Sequence, residues 1–332
     1  MSQITKAELE AIVYMFRQQR FEDCIKEVKL KLQQHPNSLH LLNYQAMAYS
    51  ALKRDDEALL TYQMIVKKDP SLPGPYYNMG VILKRNGRIE ESIVHYKKAI
   101  FLKPDYVQAY NNLGVLYKDN EKYENAVKMF TKAKEIQPDH QNSYYNLALI
   151  KKEQDLGEEA IDLFLKVLQL NPEHTEAKYN ISLIRKHQGL LKEAKEYLQQ
   201  ILRTDKKHEN ATKELAVLFG EMGDFKSAID CFNNAIKANS KNISFFHGLG
   251  LCLLTIGEFE KGWEAIKTRW EAEDKKISEW FNLAMKTWEG NITKKSLVLW
   301  TGRQGIGEDI IFLGLVPEVK EMCSSLSGYV DR

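Results

Sequence analysis

The sequence predicts an all-α fold, a solenoid assembled from helix–turn–helix units of about 34 residues. Two observations lead to this prediction. Prolines recur at one constant interval, at Pro36, Pro70, Pro104, Pro138 and Pro172. Two other positions of the same unit carry only small residues, which allows helix backbones to approach to about 8 Å. Stacked units of this kind form a continuous core, and each unit contacts only its neighbours.

The small residues fall at positions 8 and 20 when proline is placed at position 32. Position 8 holds Ala46, Gly80, Gly114, Ala148, Ser182, Ala216 and Gly250. Position 20 holds Ala58, Ser92, Ala126, Ala160, Ala194, Ala228 and Gly262. Position 15 holds Gly87, Gly189, Gly223 and Gly257. We expect position 15 to end the first helix of each unit, since such an end favours a residue that tolerates positive φ.

In this register the repeats span approximately residues 5–38, 39–72, 73–106, 107–140, 141–174, 175–208, 209–242 and 243–276. The first is the least regular, with Ile12 at position 8, as expected of a capping unit. All five tryptophans lie beyond residue 262, which indicates a change of structure. We therefore expect a repeat domain of residues 1–276, a linker of residues 277–295 and a different segment of residues 296–332.

That last segment has the pattern of a truncated α/β unit. The apolar run Ser296–Thr301 predicts a strand, residues 308–323 predict a helix, and Gly328–Val330 could begin a second strand. A parallel sheet needs both of its faces covered by crossover helices, which this short stretch cannot supply.

The repeat of residues 107–140 resembles the tetratricopeptide repeat at all eight signature positions of that family. Among the matching residues are Tyr110, Leu113, Ala126, Phe130 and Pro138. This resemblance implies a right-handed superhelix of seven to eight repeats that binds other proteins in its concave groove.

Positions that point away from the core form columns along the predicted groove. Position 6 holds Asn78, Asn112, Asn146 and Asn180, and position 12 holds Lys84, Lys118, Lys152 and Lys186. Position 5 holds Tyr77, Asn111, Tyr145 and Tyr179. An asparagine amide can both donate to and accept from a peptide unit, and lysines favour acidic groups or phosphates. Two alternatives stay open: the asparagines bond nearby backbone, and the lysines are simply solvated.

Residues 297–332 resemble the start of the glycosyltransferase domain in bacterial repeat-linked glycosyltransferases and in heptosyltransferases. The resemblance rests on the strand Leu297–Trp300, the turn Gly305–Glu308, Phe312 and Pro317. It implies a Rossmann-like, GT-B-like segment. Glu308, where those families have aspartate, is then the candidate general base, and Gly305 and Gly307 are candidates for cofactor binding. The repeats with their asparagine column also resemble those of O-linked N-acetylglucosamine transferases.

The sequence therefore predicts a scaffold that binds a protein or an extended peptide, acidic peptides included. Because the glycosyltransferase-like region is incomplete, we do not expect this chain to be an enzyme alone. The alternative is the substrate-recruiting part of a glycosyltransferase that uses a nucleotide sugar once a complete catalytic domain is supplied. A third function, binding of single-stranded RNA, is disfavoured by the net charge of +2.

Composition narrows the classes further. No apolar run reaches the ~18 residues of a membrane span, and the N-terminus lacks the apolar stretch of a signal peptide. We expect Cys24, Cys231 and Cys252 to be buried free thiols, which is consistent with a cytoplasmic protein. His140, His174 and His208 also recur with the repeat period, too far apart to share one metal ion, and we expect no metal site or cofactor.

Overall fold

The structure is a computed structural model that describes residues 4–240, 242–273, 293–300 and 323–329, with side chains up to residue 266. The chain divides into two compact units, Met1–Thr204 and Asp205–Arg332. This division falls between two helix pairs, near the end of the repeat of residues 175–208. The domain boundaries expected at residues 276 and 295 remain a prediction.

The described part of unit 1 consists of six pairs of helices, and the two helices of each pair pack against one another. Their bounds are α1 Lys6–Arg17, α2 Phe21–Gln34, α3 Leu39–Ala51, α4 Asp55–Lys68, α5 Pro73–Arg85, α6 Ile89–Leu102, α7 Val107–Asp119, α8 Tyr123–Ile136, α9 Gln141–Glu153, α10 Gly157–Leu170, α11 Thr175–His187 and α12 Leu191–Thr204. From α3 onwards every first helix occupies positions 1–13 of its repeat and every second helix occupies positions 17–30.

Unit 2 continues the same helical register, and its described residues then include two strands. Its elements are α13 Glu209–Glu221, α14 Phe225–Ala238, α15 Ile243–Thr255, α16 Phe259–Glu273, β1 Thr293–Trp300 and β2 Cys323–Tyr329. The prediction of repeated helix pairs is thus confirmed over the described helices of both units.

The turn inside each repeat is tight because position 15 has a positive φ. Gly87, Gly189, Gly223 and Gly257 have φ between 73° and 84°, as their position predicted. The same position has φ of 58–61° in the four other repeats, although none of them carries glycine there. Those residues are Gln19, Lys53, Glu121 and Asp155. The fold therefore imposes this backbone conformation whether or not glycine is present.

The core of each repeat lies where its two helices cross, at positions 8 and 20. Every small residue predicted at these positions is buried. Phe130 packs directly on Gly114, where an added β-carbon would lie 2.7 Å from the ring. In the preceding repeat the Ser92 hydroxyl donates to the carbonyl oxygen of Gly80 at 2.6 Å, which satisfies a buried polar group at the crossing.

The first repeat forms its helix pair despite its irregular sequence. Thr5 caps α1: its side chain accepts from the backbone of Glu8, whose carboxylate accepts from the backbone of Thr5 in return. Ile12, at position 8, is fully buried. Cys24 and Cys252 are also buried, whereas Cys231 is only partly buried, which corrects the expectation for that thiol.

The two strands pair in parallel, with Leu297 opposite Leu326 and Trp300 opposite Tyr329. β1 begins three residues before the predicted strand, and β2 begins at Cys323, where the predicted helix was expected to end. Residues 301–322 lie outside the described residues. The assignment of residues 296–332 to a Rossmann-like segment therefore stays a prediction.

Candidate functional site

The predicted site residues lie on one side of unit 1, which we call the first-helix face. It consists of positions 5, 6, 9 and 12 of α5, α7, α9 and α11. Successive first helices touch along part of this face, since α5 contacts α7 and α7 contacts α9. The repeat register therefore places equivalent side chains in columns, as the sequence predicted.

The asparagine column is joined to the column at position 5 of the preceding repeat. Nδ2 of Asn112 donates to the Tyr77 hydroxyl at 3.1 Å, and Nδ2 of Asn180 donates to the Tyr145 hydroxyl at 3.4 Å. Between them, Nδ2 of Asn146 donates to Oδ1 of Asn111 at 3.3 Å. Each bond joins two successive repeats, so these asparagines have an architectural role.

The asparagines differ in how much bonding capacity they leave for a ligand. Asn180 is 8% exposed, and its Oδ1 accepts from Nζ of Lys152 at 2.6 Å. Its Nδ2 also donates to the carbonyl oxygen of Glu176 at 2.8 Å, so the whole amide is engaged. In contrast, Oδ1 of the half-buried Asn112 and Asn146 has no partner among the described residues. The face therefore presents two unused amide acceptors, one repeat apart.

The fourth asparagine, Asn78, has a different contact. Its side chain hydrogen-bonds the hydroxyl of Tyr62, a core residue at position 24 of the preceding repeat. Burial raises the pKa of Tyr62 well above its usual range, and this hydrogen bond only partly opposes the effect. Asn78 is consequently tied to the core as well as to the face.

Two tyrosines at position 5 pack against other aromatic rings beside the asparagines. The Tyr77 ring lies 4.9 Å from that of Tyr106, and the Tyr145 ring lies 5.0 Å from that of His174. Burial raises the pKa of both Tyr77 and Tyr145, so both hydroxyls are neutral at physiological pH. Tyr179 is half-buried at the equivalent position.

The lysine column is uneven in charge. Nζ of Lys118 lies 3.2 Å from the carboxylate of Asp119. Burial lowers the pKa of Lys152, with Glu153 opposing the shift, and its ammonium is bound to Asn180. Lys84 and Lys186 are half-buried. The column does not present four equivalent free cations, because two of its members are already engaged by neighbouring side chains.

The apolar column at position 9 belongs to the core rather than to the surface. Val81 and Val115 are partly buried against the core cluster that contains Tyr96 and Phe130, and Leu149 is partly buried against the cluster that contains Phe164. Position 9 therefore contributes mainly to packing rather than to a free binding surface.

Sequence reasoning missed the residue at position 34, immediately before each first helix. His174 and His208 cap α11 and α13, since Nδ1 of each ring accepts from a backbone N–H three residues later, at 3.2 Å and 3.0 Å. His140 instead contacts the Ser143 hydroxyl at 2.8 Å. From the sequence these histidines only excluded a shared metal ion, and it was not predicted that two of them cap helices. The signal was their recurrence at the repeat period, directly before a helix start.

The remaining predicted site residues, Gly305, Gly307 and Glu308, lie outside the described residues. Within the described part of the chain no cluster of histidine, cysteine, aspartate and glutamate has the arrangement of a metal site. None of the described helices has the length and apolar character required to cross a lipid bilayer.

Family models identify the repeats. Those described as "TPR repeat" or "Tetratricopeptide repeat" match residues 44–71, 82–121, 107–140, 141–174, 175–208 and 214–242, together more than half of the chain. The chain is therefore a helical repeat protein. It belongs to the tetratricopeptide-repeat family, and the matched residues end at 242.

Solved structures share this fold. The C-terminal part of a TPR repeat-containing protein from Cytophaga hutchinsonii is similar at 19% identity and a TM-score of 0.60, covering 73% of this chain and 99% of that one. A tetratricopeptide repeat protein from Parabacteroides merdae ATCC 43184 is similar at 18% identity and a TM-score of 0.55, covering 74% and 98%.

A third structure, YrrB, is described as a TPR protein with an unusual peptide-binding site. It is 22% identical with a TM-score of 0.47, covering 56% of this chain and 96% of that one, and this similarity is too low to support an inference. No curated protein matches the chain.

Proposed function

We propose that the protein is an interaction scaffold that binds an extended polypeptide along the first-helix face. The observation that carries this proposal is the pair of unused acceptors, Oδ1 of Asn112 and Oδ1 of Asn146. Both amides are held in place by hydrogen bonds from their own Nδ2 atoms to neighbouring side chains. Fixed acceptors of this kind suit the backbone N–H groups of a ligand, because little side-chain entropy is lost on binding.

The spacing of the two acceptors fits an extended chain. Successive repeats are stacked about one helix diameter apart, roughly 10 Å. An extended strand advances about 3.3 Å per residue, so the two oxygens would meet N–H groups about three residues apart. The bound segment would therefore be recognised mainly through its backbone. Its sequence would be selected by the other side chains of the first-helix face beside the two acceptors.

The positive charge on the same face favours an acidic ligand only near one of its lysines. Lys84 makes no ion pair among the described residues, whereas Lys118 is paired with Asp119 and Lys152 with Asn180. We therefore place any acidic side chain or phosphate of the ligand near Lys84, on the α5 side of Asn112. This narrows the earlier expectation of a continuous lysine column.

The test is binding of an extended-peptide library to the wild type and to the double variant Asn112→Leu/Asn146→Leu. Leucine keeps the branched shape of asparagine but removes both acceptors, together with the Nδ2 donors to Tyr77 and Asn111. The matched control is Tyr77→Phe, which removes the partner of Asn112 and leaves its Oδ1 in place. We expect the double variant to lose at least about tenfold in affinity, since each hydrogen bond contributes roughly 1 kcal/mol, while the control binds as the wild type does.

Circular dichroism of all variants establishes that they remain folded. Equal affinity of the folded double variant and the wild type would disprove the proposal, and so would the absence of any library peptide that binds the wild type. A loss in Tyr77→Phe as large as in the double variant would show that the asparagines act only through the architecture of the face.

The glycosyltransferase alternative rests on residues 296–332. The parallel pairing of β1 and β2 is compatible with the start of an α/β domain, but the family matches end well before it. If this alternative holds, a nucleotide sugar such as UDP-N-acetylglucosamine would bind once a complete catalytic domain is supplied. Gly307→Val would then weaken that binding, whereas Glu308→Gln would abolish transfer and leave donor binding in place. Calorimetric titration that detects no binding of the sugar nucleotide would leave the scaffold function alone.

A further inference from the structure

The outer surface of unit 1 carries a group of exposed apolar side chains on three consecutive second helices. They are Leu30 on α2, Leu60 and Met64 on α4, and Val94 and Phe101 on α6, with exposed fractions of 57%, 61%, 51%, 64% and 75%. They occupy positions 22, 26 and 29 of their repeats. At 100° per residue these positions fall within about 60° of one another around the helix. All five side chains therefore point away from the core in the same general direction.

Exposed lysines surround these apolar residues. They are Lys26 and Lys29 on α2, Lys67 and Lys68 on α4, and Lys97 and Lys98 on α6. The only acidic residue at positions 22–30 of the three helices is Glu27, which is half-buried and lies 3.9 Å from Lys31. We call these five apolar residues and six lysines the outer patch.

The lysines of the outer patch are largely free of acidic partners. Lys26, Lys67 and Lys97 make no ion pair with any described residue, Lys68 donates to Asn37, and Lys98 lies 5.1 Å from the centre of the Phe101 ring. The acidic residues of α2, α4 and α6 are instead concentrated in their first turns. There they pair with arginines at the helix starts, as Arg54 does with Glu57 and Arg88 with Glu91. Lys29 interacts electrostatically with Glu57, but most of the positive charge of the outer patch is not neutralised by the described residues.

From this arrangement we propose that the outer patch adsorbs to the surface of an anionic lipid bilayer. Lysine is depleted from protein–protein interfaces, whereas arginine is enriched there, and every basic residue of the outer patch is lysine. Clusters of lysine beside exposed leucine and phenylalanine are the chemistry that binds anionic headgroups and inserts shallowly at the acyl boundary. Adsorption of this kind requires no membrane-spanning helix. The sequence predicted no membrane partner because no apolar run is long enough to span a bilayer, whereas the contact proposed here is adsorption to its surface.

The test is flotation of the full chain with two kinds of vesicle, one of phosphatidylcholine alone and one with about 30% phosphatidylserine. We expect binding to the anionic vesicles, little binding to the neutral ones, and release on raising the salt to about 0.5 M. The variant Lys67→Gln/Lys97→Gln/Lys98→Gln should lower the partition coefficient by roughly 100-fold, as three charges near an anionic surface would predict.

A second variant tests the apolar side chains. Leu60→Ser/Val94→Ser/Phe101→Ser should lower the partition coefficient at least about tenfold, since it removes the inserting groups and leaves the lysines. The matched control is Leu156→Ser/Leu165→Ser/Leu190→Ser, which removes three apolar side chains of unit 1 that are 39%, 38% and 41% exposed outside the outer patch. Each variant is first shown by circular dichroism to keep the thermal midpoint of the wild type within a few degrees.

Absence of wild-type binding to the anionic vesicles would overturn the proposal. Binding that the control variant reduces as strongly as the apolar variant does would also overturn it, because the contact would then not involve the outer patch. The wild type could fail to bind either vesicle and instead bind a synthetic amphipathic helix made of leucine and glutamate. The outer patch would then be a protein-docking surface, and the lipid proposal would fail.

Discussion

Asn112 and Tyr77 connect two successive repeats through a hydrogen bond of 3.1 Å between the amide nitrogen and the phenolic oxygen. The same nitrogen lies 3.4 Å from the hydroxyl of Tyr96, whose ring is fully buried against Gly80. One amide thus joins the core of one repeat to the surface of the next, and the candidate binding face is held by the same atoms that stabilise the stack.

Asn112→Ala should therefore reduce stability as well as any ligand binding. Two tyrosine hydroxyls lose their shared donor, and we expect a loss of about 1 kcal/mol, seen as a lower thermal midpoint. The matched control is Asn125→Ala on the exposed side of α8, which should leave the midpoint unchanged or slightly raised, because alanine favours helix. If both variants melt alike, the contact contributes nothing to the stack. A double-mutant cycle with Tyr77→Phe would isolate the coupling between the two side chains.

The columns of this face could be predicted from the sequence, but their pairing could not. The repeat period fixes which residues share a position, so Tyr77 and Tyr145 fall in one column and Asn112 and Asn180 in the next. It does not fix how far one repeat is offset from the following one. That offset is set by packing at the helix crossings, and it brings position 6 against position 5 of the preceding repeat. Bonds between successive repeats therefore appear only in three dimensions.

The same limit applies to the turns. Glycine at position 15 predicted a positive φ in four repeats, and the structure confirms it. Glu121 and Lys53 adopt the same conformation without any local sequence signal, because the helix pair on either side imposes it. Sequence patterns reveal such a requirement only where evolution has placed the residue best suited to it.

Glu121→Gly and Lys53→Gly should each stabilise the protein. Their φ values are 58° and 61°. For a residue with a β-carbon, this conformation raises the free energy of the folded state by about 1 kcal/mol, and glycine avoids this cost. We expect each variant to gain several tenths to about 1 kcal/mol in unfolding free energy, after the greater flexibility of glycine in the unfolded chain is subtracted. Urea denaturation measures this gain. Lys128→Gly, exposed in the interior of α8, should lose about 1 kcal/mol, and Gly223→Ala should lose a similar amount. A Glu121→Gly variant that is less stable than the wild type would contradict this account.

At the helix crossing, replacing glycine by alanine should lower the stability of the protein, in contrast to a glycine that lies away from the crossing. A β-carbon at Gly114 would lie 2.7 Å from the Phe130 ring, which is fully buried. We expect Gly114→Ala to lose about 1 kcal/mol net, since overpacking costs more than the helix propensity of alanine returns. Gly220→Ala, in α13, is the control: the nearest atom to its added β-carbon is Sγ of Cys252 at 4.0 Å, an ordinary contact, so it should be neutral or stabilising. The double variant Gly114→Ala/Phe130→Leu should recover part of the loss, and failure to recover any would place its cause elsewhere.

Two partly buried histidines should make the protein less stable in mild acid. Burial lowers the pKa of His95, with Glu91 opposing and Arg88 adding to the shift, while the Tyr76 ring covers one side. Burial likewise lowers the pKa of His140, with Asp139 opposing. Because the pKa of each is lower in the folded state, the unfolded chain binds protons first as the pH falls through about 6.5. The stability present at neutral pH is therefore lost progressively below that value, until the folded state also becomes protonated.

Thermal midpoints between about pH 7.5 and pH 5.5 measure the loss. His95→Gln and His140→Gln should each flatten this dependence. A midpoint that stays constant or rises as the pH falls through this range would show that neither ring is desolvated in the folded protein.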